Sequence, residues 1–180
     1  MRCFTRNIAL LAELKAYLLC KNFFAPPIGW IGIAIKPAPV ADSINFSAKF
    51  RYYKKAEVAL RKAFPQKTRP REARELEATI LNNLGLAYFY HESFQSSPKY
   101  LREARRSHQN ARIIYQELED KEQEAQQLYN LSLLYDSQHS IELLEEALKI
   151  LENDVPLSRL LPQIKATLMQ RRRNFNIKVE

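Results

Sequence analysis

The chain has 180 residues, 46% of them apolar and 27% charged, with a formal net charge of +8. That length suits one domain and that apolar content excludes a disordered polymer, while three glycines (Gly29, Gly32, Gly85) are too few for a phosphate-cradling loop. The charge does not form one continuous phosphate-binding stripe, because residues 1–48 carry +3, 49–74 carry +8, 75–154 carry −8 and 155–180 carry +5.

From the N-terminus, residues 1–22 read as an amphipathic helix. Arg2 and Arg6 precede an apolar stretch, but Glu13 and Lys15 interrupt it, which a secretory signal does not tolerate. Residues 23–46 read as an apolar linker broken by Pro26, Pro27, Gly29 and Gly32. Its uncharged run falls short of the about 20 residues a membrane span needs. Phe23, Phe24, Trp30 and Ile33 would make an adhesive patch if left in water, so the linker is expected to pack in cis against the rest of the chain. Cys3 and Cys20 match neither a disulfide framework nor a zinc spacing, and a reducing cytoplasm is their simplest setting.

From residue 47 the apolar positions take a helical period, with helices expected near 47–64, 71–92, 98–118, 121–136 and 140–152, and a last one within 157–174. Pro98 suits the first turn of its helix, and Asp120 with Gln123 three residues later has the spacing of a capping box. The stretches Glu77–Tyr88 and Glu124–Tyr135 agree at seven of twelve positions when aligned. Each is followed by a helix with small residues seven apart, Ala104 and Ala111 in one case, Ser140 and Ala147 in the other; Ala56 and Ala63 form an earlier copy.

With Leu81, Leu84, Gly85 and Tyr88, then Leu128, Leu131 and Tyr135, the chain resembles the tetratricopeptide repeat family over residues 47–155. Leu stands in place of Trp, and Ser132 in place of the second Gly. The run Tyr115–Asp120 is similar to the longer subtype of kinesin light chains, Pins-type scaffolds and Rap-type regulators. The resemblance implies an all-α fold of antiparallel hairpins stacked as a short α-solenoid, with residues 156–180 forming a capping helix and basic tail. It also implies that Gly85 and Ser132 lie where two helices approach closely, opposite the small residues of the second helices.

The implied function is a protein–protein scaffold that binds a peptide or protein partner in a groove, with no cofactor, metal or catalysis. The groove face falls on Asn82, Asn83, Leu86 and Tyr90, beside Thr79, and on Gln126, Tyr129, Asn130 and Leu133, beside Ser137. An Asn side chain donates and accepts at once, which suits Asn83 and Asn130 to a ligand backbone. His91, His108 and His139 share no metal spacing, and His108 reads as a packed core residue. The alternative function is a helical-repeat nucleic-acid (RNA) binder that uses the basic flanks, above all the run from Lys49 to Arg74 with Tyr52 and Tyr53 interleaved.

Overall fold

The computed structural model describes residues 40–64, 69–90 and 98–175, and the side chains of 50–64, 69–89 and 98–175. The expected helix at 1–22, most of the linker, its cis packing, Cys3, Cys20 and His91 lie outside the described residues. Six α-helices and no strand occur within them: α1 Val40–Ala63, α2 Arg71–Tyr90, α3 Pro98–Glu117, α4 Lys121–Leu133, α5 Gln138–Asp154 and α6 Leu161–Asn174. Helix α1 begins at Val40, inside the stretch read as linker. None of the described helices is long and apolar enough to cross a membrane.

Each helix packs on the next in the chain, and the contacts run in opposite directions along each pair. Arg74 at the start of α2 pairs with Glu117 at the end of α3, while further along α2 Gly85 meets His108. Between α3 and α4, Gln116 bonds Glu124, His108 bonds Gln127, and Arg105 donates to Leu134 O. Between α5 and α6, Glu152 pairs with Lys165 and Glu145 with Arg172. Contacts also join alternate helices: Asn130 to Asn82 (α4 to α2), Arg112 to Glu146 (α3 to α5) and Gln163 to Tyr129 (α6 to α4).

Local chemistry sets the boundaries. The end of α3 closes with two bonds, Asp120 N to Tyr115 O at 3.0 Å and Glu119 N to Gln116 O at 3.1 Å, and Glu119 sits in the left-handed region at φ 59°. This is a Schellman arrangement with Glu where Gly is usual. Asp120 Oδ1 then accepts from Gln123 N at 3.1 Å and caps α4. Because the Asp120 N–H is already used to end α3, the capping box is one-sided. Between α1 and α2 the buried Arg69 donates to Phe64 O at 2.8 and 3.1 Å and pairs with Glu77, so one guanidinium caps α1 and anchors α2. Before α6, Ser158 Oγ accepts from Leu160 N and donates to Glu122, and Pro162 sits in the helix's first turn.

The core runs through all six helices, from Tyr53, Leu60 and Phe64 through Leu76, Ile80 and Leu84 to Leu128, Leu144, Leu151, Ile164 and Leu168. Leu81, Leu84 and Tyr88 are buried, as their shared stripe requires. Helix α4 is the most enclosed, with every residue from Glu124 to Ser132 buried.

The close approach at Gly85 differs from the expectation. The facing group is the imidazole of His108 and not a small residue: a Cβ on Gly85 would lie 2.5 Å from His108 Nε2. A glycine is needed because a flat ring lies against the helix backbone. In the second hairpin small does meet small, since Ser140 Oγ donates to Ser132 O at 2.9 Å.

Candidate partner-binding face

The residues expected to line a groove are brought together by α2 and α4, but they spend much of their hydrogen bonding on each other. Asn130 Nδ2 donates to Asn82 Oδ1 at 3.0 Å, and Asn130 Oδ1 accepts from Gln126 Nε2 at 3.1 Å. The three amides form a chain that ties the two helices, and Asn130 is only 4% exposed. Asn83, Gln126 and Tyr129 are buried too, while Asn82, Leu86 and Leu133 are half-buried. Tyr90 ends α2, and its side chain lies outside the described residues. Thr79 Oγ1 donates to Glu75 O, and Ser137 is the exposed residue that precedes α5.

The row continues onto α6, which sequence reasoning treated only as a cap. Gln163 Nε2 donates to Tyr129 Oη at 3.0 Å, and half-buried Thr167 follows one turn later. The periodicity held a clue: Ile164 and Leu168 fix the buried face of α6, so Gln163 and Thr167 fall at its edge. The bond to Tyr129 spans 34 residues and leaves no mark in the local pattern.

Behind this face lies the polar pair His108 and Gln127. His108 Nδ1 is 2.9 Å from Gln127 Oε1, and since an amide oxygen only accepts, the ring proton is on Nδ1. Burial pushes the His108 pKa down to about 4, against a smaller upward pull from the Gln127 bond, so the ring is neutral at pH 7. The position read as a packed core histidine is one.

The basic run is divided in use. Arg69 is buried, Arg71 donates to Leu118 O at 2.9 Å and pairs with Glu75, and Arg74 pairs with Glu117. Lys54 and Arg61 share Glu57 at 3.2 and 2.7 Å. Arg51, Lys55 and Lys62 are exposed. Lys67 and the Lys49 side chain lie outside the described residues.

In comparison with known proteins, the chain matches no family model, no curated protein and no solved structure.

Proposed function

We propose that the chain is a non-enzymatic scaffold of tetratricopeptide-like hairpins that binds a protein or peptide partner on the face made by α2, α4 and α6. In this reading these helices form an inner row, α1, α3 and α5 form an outer row, and α6 closes the array as a capping helix. The observation that supports it is the pair of hydrogen bonds between alternate helices, Asn82 with Asn130 (α2 to α4) and Tyr129 with Gln163 (α4 to α6), which is what a row of α2, α4 and α6 would require. Such a row presents one extended surface, the geometry on which helical repeats bind. The outward side of α6, with Lys165, Gln170 and Arg173 exposed, supports a cap because a terminal helix must face water.

In this reading the bonds among Asn82, Asn130 and Gln126 give these amides a part in joining α2 to α4. Asn130 and Gln126 hold the rows together, and contact with a partner falls to half-buried Asn82, Leu86 and Leu133. The RNA reading is weaker, because Arg69, Arg71 and Arg74 are committed to internal bonds.

The test is a cross-linking pulldown with the full chain and with the double variant Leu86→Arg, Leu133→Arg. Retention of the helical circular dichroism signal with loss of captured proteins supports the reading. Identical captured proteins from both would remove this face from consideration, and capture of RNA alone would replace the scaffold reading with the RNA one.

A further inference from the structure

Arg51, Lys55 and Lys62 on α1 and Lys99, Arg102 and Arg106 on α3 are exposed, and none has a carboxylate partner among the described residues. At about 100° per residue, the three cations of α1 fall on one stripe, roughly opposite buried Tyr53, Ala56 and Leu60. Those of α3 likewise fall opposite buried Ala104, His108, Ala111 and Tyr115. Both helices pack on α2, so both stripes point away from it and share one outer surface. Phe50 and Tyr100 both lie against the Tyr88 ring, at 5.0 and 6.0 Å, which starts the two stripes at one level. The result is a two-dimensional array of cations, about 16 Å along the helices and about one helix width, roughly 10 Å, across. Val58 continues the α1 stripe and Ile113 the α3 stripe, and each is about half exposed.

The carboxylates of this region stand off the array. Glu57 and Glu103 line the cleft between α1 and α3, and Glu57 is shared by Lys54 and Arg61. Of the six unpaired cations only Arg106 borders that cleft. A linear anion laid in it would meet two carboxylates for one free cation, which disfavours an RNA strand and an acidic peptide alike. Laid along either stripe, it would leave the other stripe unused. A flat anionic surface meets both stripes at once without entering the cleft, and an exposed aliphatic on each stripe suits the apolar boundary beneath lipid headgroups.

We infer that the outer surface of α1 and α3 is a docking site for an anionic lipid bilayer, with the headgroups on the six cations and Val58 and Ile113 in the interfacial layer. The inference does not rest on the face proposed for a protein partner, and it requires no helix to cross the bilayer.

The test sediments the full chain with vesicles of phosphatidylcholine alone and with vesicles in which one lipid in three is phosphatidylserine. Binding is expected to the anionic vesicles only, and to weaken as salt rises. Lys55→Glu with Lys62→Glu on α1, and Arg102→Glu with Arg106→Glu on α3, are each expected to weaken it by more than about tenfold, with unchanged melts because the side chains are exposed. Should these variants unfold, the neutral pair Lys55→Gln, Arg102→Gln is expected to weaken binding by about tenfold. Lys149→Glu with Arg159→Glu changes the net charge equally at exposed positions off this surface, and is expected to alter binding by less than about twofold. Val58→Asn with Ile113→Asn is expected to weaken it by about fivefold. Equal binding to phosphatidylcholine alone, a loss from only one of the two helices, an equal loss from the control pair or no loss from the aliphatic pair would overturn the inference. So would displacement of the chain from the vesicles by mixed-sequence single-stranded RNA of equal total charge.

Discussion

At Gly85 two opposing costs can be compared. Alanine in place of a mid-helix glycine normally favours a helix by about 1 kcal/mol. Here the added methyl meets a buried ring at 2.5 Å, and the ring is held by its bond to Gln127. Overpacking of that kind costs about 1–3 kcal/mol, so Gly85→Ala is expected to lower stability despite its helix propensity. A denaturant titration of both single variants and the double variant Gly85→Ala, His108→Ala checks it: the two changes must be strongly non-additive. Additive effects would mean that the ring does not oppose the glycine. The same histidine makes stability depend on pH. Its pKa falls from 6.5 in the unfolded chain to about 4 in the fold, so its contribution is intact above 6.5 and is lost as pH falls toward 4. The loss is about 2 kcal/mol by pH 5 and about 3 kcal/mol in full. Melts at about pH 7 and pH 5 should show this drop, and His108→Gln should flatten it; a variant with an undiminished pH dependence would assign the effect elsewhere.

At the scale of the helix, most boundaries were legible in the sequence because their causes are local. Asp120 caps α4 through a bond three residues away, Pro98 opens α3, and α2 starts at Arg71 as expected. What could not be read is which residue lies across from which. Repeat logic put a small residue opposite Gly85, yet Ala104 and His108 share one face of α3 a turn apart, so the axial register of α3 against α2 decides which of them arrives there, and periodicity does not encode that register. The amides likewise looked free because Asn82 and Asn130 are 48 residues apart in the chain. Two predictions belong here. Glu119→Gly is expected to stabilise the α3–α4 turn by about 1 kcal/mol, since the left-handed conformation at φ 59° costs a side chain about that much and glycine nothing. A melt that falls on this change would mean that Glu119 makes a compensating contact. Asn130→Ala should cost about 1–3 kcal/mol, because it strips partners from both Asn82 and Gln126 in a closed interface. Calorimetry on the single variants and on Asn82→Ala, Asn130→Ala gives the coupling; a neutral Asn130→Ala would show that the amide chain does not hold α2 to α4.

At the scale of the whole molecule, stability is distributed along a chain of neighbour contacts. Each described helix packs mainly on the helix before and the helix after it, so among the described helices α1 and α6 have one such neighbour and the other four have two. Helix α4 gains further contacts, with Asn82 on α2, with Gln163 on α6 and with Ser158 in the segment before α6, and it is buried continuously from Glu124 to Ser132. Its backbone should therefore open only when the whole array opens, whereas α1 and α6 can fray without dismantling their neighbours. Hydrogen exchange read by mass spectrometry is expected to show the slowest amides in α4 and the facing turns of α5, and faster exchange toward α1 and the last turn of α6. Leu128→Ala, which removes a fully buried side chain from the centre, should cost about 2–5 kcal/mol and speed exchange in every helix together. Met169→Ala, on an exposed side of α6, should leave the pattern unchanged. If the slowest amides lay in α1, or if Leu128→Ala accelerated exchange in α4 alone, stability would not be shared along the helices, and the reading of one array closed by α6 would fall with it.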